Sequence, residues 1–296
     1  MNIQSLSVCV PAARCINDCK FCCSKMHGGD YPDNFTPVAQ TDEYISDLKK
    51  RMQYARDNGC NTLMLTGNNE PQQNLRFLQL LSQVNQSLRT PFLNIEMQTS
   101  GAMIRKDRLS LLKSLGVTTI AISVACIDSD RINRELTQTA DKDLNIRNLC
   151  RWIKELNMNL RICLNMNDFM VSNVTDPANA LDSILAHCST YGADQITCRA
   201  LWTSEDGTPQ AEWIKENVTD FTFQIIDRFK SLVKEDGRYL DTLEYGADRY
   251  DYLGFSVVID EDSMAQEINK DAVKYLILRP NGHLYSKWDS KASLIF

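Results

Sequence analysis

The sequence predicts an α/β protein: a partial (β/α)6 TIM-like barrel followed by an α+β C-terminal extension that ends in a β-hairpin. Short apolar runs alternate with helical patterns over the first two thirds of the chain, as repeated βαβ units and a parallel sheet require. Polar segments follow these runs. In barrels and parallel α/β sheets, the loops at the carboxyl ends of the strands carry the functional residues. A loop with three cysteines follows the first strand. This loop favours the barrel over a doubly wound sheet, which the alternation alone leaves open.

Six strands and their helices make up the predicted barrel over residues 1–205. We expect the strands at residues 5–10, 62–65, 93–98, 119–124, 160–164 and 195–201. Helical periodicity predicts helices at residues 41–58, 75–81, 105–115, 144–153 and 177–191. Thr41 is a good N-cap, and Gly116 and Gly192 are placed to end two helices. The Gly-, Asp- and Pro-rich residues 27–36 are expected to form an irregular loop.

Residues 206–296 form the predicted C-terminal extension, which we expect to close the open side of the barrel. Residues 212–233 have the periodicity of one long amphipathic helix. Strand-like runs follow at residues 255–259 and 275–278. Pro280-Asn281-Gly282 comes directly after the second run and before residues 283–285, which predicts a terminal hairpin.

Composition is that of an ordinary globular protein, with 43% hydrophobic and 24% charged residues in a chain of 296. The net charge of −6 argues against a broad nucleic-acid surface, so nucleic acid is not an expected partner. No apolar run approaches the roughly 20 residues of a membrane span, and the first residues lack a secretory signal. Most of the 11 cysteines sit singly in apolar runs, which favours free thiols and a cytoplasmic location.

The most informative stretch is a C-x3-C-x2-C triplet formed by Cys15, Cys19 and Cys22. Three thiolates in one short loop can bind three irons of an iron–sulfur cube, whereas ferredoxins generally supply four. One iron would then lack a cysteine, and an open position distinguishes a reactive metal site from a closed structural one. The alternative is a zinc site with Cys9 or Cys23 as fourth ligand, although zinc sites favour paired C-x2-C units and the chain has no second pair.

This cysteine spacing, with Phe21 just before the third cysteine, resembles the signature of the radical S-adenosylmethionine (SAM) enzymes. The resemblance continues to about residue 205 and implies that Cys15, Cys19 and Cys22 hold a [4Fe–4S] cluster. It further implies that SAM binds the open iron through its amino and carboxylate groups. An electron from the reduced cluster then splits the sulfonium, and the resulting 5'-deoxyadenosyl radical abstracts hydrogen from the substrate.

The same resemblance assigns SAM contacts to loops that follow the strands. Residues 67–71 are similar to the family's G-x-G-E-P motif, which holds the SAM amino group. The motif residues here are Gly67, Asn68, Asn69 and Glu70, and Asn69 stands in place of the second glycine. Asparagine tolerates positive φ, so this departure is physically mild. An ordinary polar loop is the structural alternative.

Two further positions resemble SAM contacts of molybdenum-cofactor-type members. Thr99 resembles the threonine of their T-N-G turn, and Ser123 resembles their serine on the fourth strand. A plain turn and a hydrogen-bonded core hydroxyl are the alternatives. Asn165, after the fifth strand, is also a candidate cofactor contact.

Charged residues in apolar runs complete the list of candidates. Arg161 and Arg199 each need an anion, which could be the SAM carboxylate, a substrate phosphate or a nearby Asp. Arg279 and His283 on the terminal hairpin could reach substrate. No cysteine follows Cys198, so an auxiliary-cluster domain is not expected.

We therefore predict a cytoplasmic radical SAM enzyme with one [4Fe–4S] cluster that acts on a small molecule such as a nucleotide or its derivative. An electron donor such as flavodoxin or ferredoxin would be its protein partner. A glycyl-radical-enzyme activase and a peptide- or RNA-modifying radical SAM enzyme are alternatives within the class. A non-catalytic zinc-binding module is the alternative outside it. No residue is singled out as a catalytic acid, base or radical carrier.

Overall fold

A computed structural model describes residues 2–26, 38–205, 207–243, 246–261, 272–288 and 290–296. The loop expected at residues 27–36 lies outside this part of the chain. Eleven strands of the described part form one sheet. They are β1 (Asn2–Cys9), β2 (Thr62–Thr66), β3 (Asn94–Thr99), β4 (Thr119–Val124), β5 (Asn159–Met166), β6 (Gln195–Ala200), β7 (Arg238–Thr242), β8 (Asp248–Tyr252), β9 (Phe255–Asp260), β10 (Ala272–Leu278) and β11 (Leu284–Tyr285). The α-helices are α1 (Asp42–Asp57), α2 (Leu75–Gln86), α3 (Lys106–Ser114), α4 (Asp130–Thr137), α5 (Ile146–Glu155), α6 (Pro177–Tyr191), α7 (Pro209–Asn217) and α8 (Asp220–Asp236).

Strands β1 to β6 lie side by side in chain order, and every neighbouring pair among them is parallel. A doubly wound sheet reverses its strand order at a switch point, whereas a barrel does not. The strand order therefore confirms the partial (β/α)6 barrel. Thr41 caps α1 by accepting a hydrogen bond from Tyr44 N, and Gly192 ends α6 in the left-handed conformation, both as predicted.

The two faces of the sheet differ in polarity because successive side chains of a strand point to opposite sides. On β1, Leu6 and Val8 belong to the main apolar core together with residues of the helices. Ser5 and Ser7, which alternate with them, line a cavity on the other face. The helices thus stabilise one side of the sheet and leave the other side polar.

The C-terminal extension adds strands to both edges of the six-stranded unit. β9 pairs parallel with β6 at one edge, and β10 pairs parallel with β1 at the other. β8 and β7 continue antiparallel beyond β9, while β11 pairs antiparallel with β10 and confirms the terminal hairpin. The placement of a domain boundary at residue 205 stays a prediction.

The prediction of one long helix over residues 212–233 is wrong, because two separate helices occupy this region. Thr208 caps α7 by accepting from Ala211 N, and Thr219 caps α8 by accepting from Phe221 N. The apolar periodicity runs through both helices and hides the break. Three further elements, α4, β7 and β8, were not predicted from the sequence. These elements are short and mainly polar and charged, so few apolar residues mark them in the sequence.

Arg279 and His283, the hairpin residues that the sequence suggested could reach substrate, do not line the cavity on the polar face of the sheet. Arg279 is 1% exposed and donates hydrogen bonds to the backbone oxygens of Lys287 and Trp288, so it holds the segment after β11. His283 is exposed and lies near Asp47 of α1.

All 11 cysteines fall in the described part of the chain, and each is a free thiol. None of the helices described here combines the length and the apolar character that a bilayer crossing demands.

Candidate active site

A cavity of about 540 Å³ occupies the polar face of the sheet. The predicted site residues Phe21, Cys22, Gly67, Ser123 and Asn165 all line it, although they come from four different loops or strands. The volume falls within the roughly 300–1,000 Å³ typical of small-molecule sites. The loops that follow β1 and β2 and the ends of β4 and β5 therefore meet at one space.

The three cysteines of the triplet lie close enough to influence one another electrostatically. Burial raises the pKa of Cys15 and, more strongly, of Cys19, and the nearby Cys22 and Glu70 raise it further. Thiols must lose their protons to bind iron, so a bound cationic cluster would offset this cost. Among the described residues, no three His, Cys, Asp or Glu side chains are grouped to hold a single metal ion. The triplet stays a prediction for a cluster, in which each thiolate binds a different iron.

The cysteine loop is held in place by the C-terminal end of α4. Asp18 N donates to Thr137 O over 3.1 Å, and Lys20 N donates to Leu136 O over 3.0 Å. These bonds satisfy backbone donors of an otherwise irregular loop and carbonyls at a helix end, which lack intrahelical partners. The helix that the sequence analysis missed thus positions the predicted cluster ligands.

Gln73 connects the cysteine loop to the loop after β2. Its Oε1 accepts from Ile16 N over 3.0 Å and from Glu70 N over 3.2 Å, and its Nε2 donates to Arg14 O over 3.0 Å. One side chain therefore fixes backbone atoms on either side of Cys15 and in the G-x-G-E-P-like segment.

We expect Gln73→Ala to weaken iron binding by about 10-fold or more without unfolding the chain, because partners that orient metal ligands typically contribute about 10- to 100-fold. The measurement is iron retained by the reconstituted protein against a chelator series. Gln83→Ala, at an exposed position on α2, is the matched control and should behave as wild type. Equal iron retention in the two variants would contradict the connecting role of Gln73.

Glu70 lies at the centre of a buried hydrogen-bond network behind the cavity. The side chain is 6% exposed. Its Oε1 accepts from Asn17 Nδ2 over 2.7 Å and from Ser100 N over 3.0 Å. Its Oε2 accepts from Gln72 Nε2 over 2.9 Å and from the Thr99 hydroxyl. The carboxylate thus joins the cysteine loop to the loops after β2 and β3, and Thr99 belongs to this network.

The G-x-G-E-P-like segment keeps the expected glycine but uses its asparagine differently. Gly67 has φ of +142°, which side-chain-bearing residues rarely adopt, and an added Cβ would lie 3.4 Å from Val10 N. Asn69 does not take positive φ; its Nδ2 donates to Val10 O over 2.8 Å and to Asn68 Oδ1 over 3.1 Å. The asparagine therefore ties this loop to the end of β1.

The residues around the triplet fit the predicted cofactors. Asn17 Oδ1 and Asn69 Oδ1 are buried acceptors without a hydrogen-bond partner among the described residues. Buried acceptors are normally paired, so these two oxygens suit a ligand that brings its own donors. SAM carries such donors on its amino group. The donor set of three neighbouring free thiols likewise suits an iron–sulfur cluster.

Comparison with known protein families decides between the enzyme and the zinc module. The family model described as the radical SAM superfamily matches residues 9–177. The chain belongs to the radical SAM superfamily. The predicted cofactors, a [4Fe–4S] cluster and SAM, are thereby confirmed as those of its family. A comparison with curated proteins gives no match.

Solved structures of radical SAM enzymes share the fold. Streptococcus suis SuiB bound to S-adenosylmethionine is 13% identical, with a TM-score of 0.56, and the match covers 96% of this chain and 60% of SuiB. The structure of anSMEcpe with bound AdoMet is 12% identical, with a TM-score of 0.60, and the match covers 96% and 74% of the two chains. Methylornithine synthase is 17% identical, with a TM-score of 0.50, and the match covers 77% and 62%. The chain thus spans about three fifths of the length of SuiB.

The structure brings the predicted site residues of this radical SAM protein together in two layers. Phe21, Gly67, Ser123 and Asn165 line the cavity. Glu70 and Thr99 belong to the buried network behind it. Asn69 is buried as well but bonds to Val10 O and to the half-buried Asn68. Their individual roles toward SAM stay predictions.

Several residues of the site carried no recognisable signal in the sequence. Asn17 lies between the first two cysteines, and Gln73 follows the G-x-G-E-P-like segment. Neither residue type by itself indicates a ligand. Asp260 and Lys274, which also line the cavity, belong to β9 and β10. Only the pairing of β9 and β10 with the barrel shows that they face the same space as the cysteine loop.

Proposed function

We propose that this protein reductively cleaves SAM and abstracts a hydrogen atom from a small polar substrate held inside the barrel. The observation that carries the proposal is that Cys22, Gly67 and Ser123 line the same 540 Å³ cavity as the charged residues Arg199 and Asp260. Residues predicted to hold the cofactors and residues able to bind a polar molecule thus share one space.

Cys15, Cys19 and Cys22 are the residues that would hold the cluster, while Gly67, Ser123 and the buried Asn69 would bind and orient SAM. When bound, the reduced cluster supplies one electron to the sulfonium of SAM, which gives methionine and a 5'-deoxyadenosyl radical. The buried aromatic side chain of Phe21 lines this end of the cavity, 5.7 Å from the ring of Trp213, and would help to exclude water from the reacting groups. Exclusion of water protects reactive intermediates from side reactions.

The size and polarity of the cavity favour a small, polar substrate. A cavity of about 540 Å³ is the size of one ordinary ligand site, and SAM itself would fill much of it. The remaining wall carries hydroxyl, amide and charged groups, which suit a polar molecule such as a nucleotide derivative. An electron donor such as flavodoxin or ferredoxin would act from outside the barrel.

The test is anaerobic reconstitution with iron and sulfide, followed by addition of dithionite and SAM. We expect 5'-deoxyadenosine and methionine in equal amounts, formed slowly in the absence of substrate. A protein that retains a complete cluster and forms neither product would refute the proposal.

A peptide is the second candidate substrate. Structures of Streptococcus suis SuiB with a precursor peptide and of anSMEcpe with a peptide match 96% of this chain, at 14% and 12% identity. A single peptide side chain would fit the same polar cavity. The reconstituted protein is incubated separately with a deuterated peptide pool and with a deuterated nucleotide pool. The pool that transfers deuterium to 5'-deoxyadenosine identifies the substrate as a peptide or as a nucleotide.

A further inference from the structure

A serine that follows the cysteine triplet contacts the third of the predicted cluster ligands. Ser24 Oγ lies 2.9 Å from Cys22 Sγ, within hydrogen-bond distance. Both side chains are half-buried, and both residues line the cavity on the polar face of the sheet. The hydroxyl group therefore belongs to the immediate surroundings of the predicted cluster.

The local backbone explains why Ser24 lies beside Cys22. Cys23–Lys25 form a single turn of 3₁₀ helix, in which Lys25 N donates to Cys22 O over 3.0 Å. The side chain of Lys25 forms an ion pair with Asp18, which lies between the first two cysteines of the triplet. The turn is thus held at both its ends, and it brings the Ser24 side chain back toward the third cysteine.

The protonation state of Cys22 decides which of the two groups donates the hydrogen bond. A free thiol and a hydroxyl group can each donate. A cysteine that binds iron has lost its proton, so only the hydroxyl of Ser24 then has a hydrogen to donate. The acceptor is a charged thiolate, and hydrogen bonds to charged acceptors are stronger than those between neutral groups.

Cys15, the first cysteine of the triplet, also accepts a hydrogen bond at its sulfur. Asn17 N donates to Cys15 Sγ over 3.4 Å. This bond is longer than the contact between Ser24 and Cys22, and it comes from the backbone, so a side-chain substitution does not remove it. The hydroxyl of Ser24 is the donor whose effect mutagenesis can test.

We propose that Ser24 raises the reduction potential of the cluster by donating a hydrogen bond to the Cys22 thiolate. This inference rests on the proposed function, because reductive cleavage of SAM requires the reduced cluster. Reduction transfers one electron from the external donor to the oxidised cluster, and no atom or proton moves with it. The added electron makes the cluster and its thiolates more negative, so a donor at sulfur stabilises the reduced state more than the oxidised one. Hydrogen bonds to the sulfurs are among the features that set the potentials of such clusters.

The experiment compares the midpoint potential of the cluster in the wild-type protein and in Ser24→Ala. Both proteins are reconstituted anaerobically without SAM and poised at a series of potentials, and the EPR signal of the reduced cluster is measured. We expect the equilibrium constant for reduction to fall by about 10-fold in Ser24→Ala, which lowers the potential of a one-electron couple by about 59 mV. Ser24→Thr keeps a hydroxyl group and should restore the wild-type potential.

Two further measurements separate this role from a structural one or from a direct contact with SAM. Iron and sulfide contents of Ser24→Ala should equal those of the wild-type protein, because Ser24 is not a cluster ligand. Its affinity for SAM, measured by calorimetry on the oxidised protein, should also stay unchanged. Ser256→Ala is the matched control, since Ser256 lines the same cavity from β9 and its hydroxyl bonds to no cysteine of the described residues. It should keep the wild-type potential.

An unchanged or raised midpoint potential in Ser24→Ala would overturn the role of Ser24. So would loss of iron or SAM affinity in this variant, or a lowered potential that Ser24→Thr does not restore. Formation of 5'-deoxyadenosine is measured separately on the wild-type protein. A cluster whose potential depends on Ser24, in a protein that does not cleave SAM, would refute the proposed function and leave the role of Ser24 standing. SAM cleavage together with a wild-type potential in Ser24→Ala would refute the role of Ser24 alone.

Discussion

Replacing Cys19 by alanine is expected to abolish cluster binding and SAM cleavage together. Cys19 is the middle ligand of the predicted triplet, and its thiol lies among Cys15, Cys22 and Glu70. A cube that loses one of three thiolates is left with two protein ligands and a second open iron. We expect iron and sulfide after reconstitution to fall to background, and 5'-deoxyadenosine to fall below detection. Alanine at Cys15 or Cys22 should have the same effect.

Two other cysteines provide the controls for this prediction. Cys188 is fully buried in α6, away from the triplet, and Cys188→Ala should retain iron and sulfide at the wild-type level. Cys23 directly follows the third cysteine and was, with Cys9, one of the two candidate fourth ligands of a zinc site. Cys23→Ala should also keep its cluster. Loss of iron in Cys23→Ala, or retention of a full cluster in Cys19→Ala, would contradict the assignment of the three ligands.

The barrel could be predicted from sequence because its signals are local. Each of the first six strands is a short apolar run bounded by polar residues. Caps such as Thr41 and Gly192 act on their own helix ends. Helices and strands that have weak local signals in the sequence were not predicted, or were predicted with the wrong bounds. The helix α4 is only eight residues long and mainly polar, so few apolar residues mark it. The break between α7 and α8 depends on one capping threonine, Thr219, inside a continuous apolar pattern.

The candidate site was only partly predictable for a different reason. The cysteine triplet and Gly67 to Glu70 are contiguous motifs, so a single stretch of sequence carries each of them. The contacts of Gln73 with Ile16 N and Arg14 O join segments more than fifty residues apart, and nothing in either segment indicates the other. Asp260 and Lys274 meet only because β9 and β10 extend opposite edges of one sheet.

The same sheet would allow one chain to hold a cofactor together with the polar substrate proposed above. Apolar side chains of β1 to β6 pack on the helices, so the stability of the barrel does not depend on filling its interior. The interior is then free to carry polar groups. A buried charge there still needs a partner, as Arg161 has in Glu96, because an unpaired buried charge would be costly.

Glu70→Gln is the second substitution with a large expected effect, and it distinguishes two roles for this residue. The partners of the Glu70 carboxylate described above all act as donors, and they include Asn17 Nδ2, Ser100 N and Gln72 Nε2. An amide group in its place would point one NH2 at another donor in either orientation. Hydrogen bonds to a charged group contribute about 1.5–3 kcal/mol, so we expect about a 10- to 100-fold loss in cluster or SAM binding.

Iron retention and SAM affinity of Glu70→Gln, measured side by side, identify the role of Glu70. If Glu70 mainly joins the three loops, Glu70→Gln lowers iron retention and SAM affinity together. If it mainly accepts the SAM amino group, as the G-x-G-E-P resemblance implies, SAM affinity falls while iron retention stays at the wild-type level. The four donors around its carboxylate lead us to expect the joint loss. Glu155→Gln is the control, because Glu155 forms an exposed ion pair with Lys106 at the surface, where such pairs contribute about 0–1 kcal/mol. Unchanged iron retention and SAM affinity in Glu70→Gln would exclude both roles.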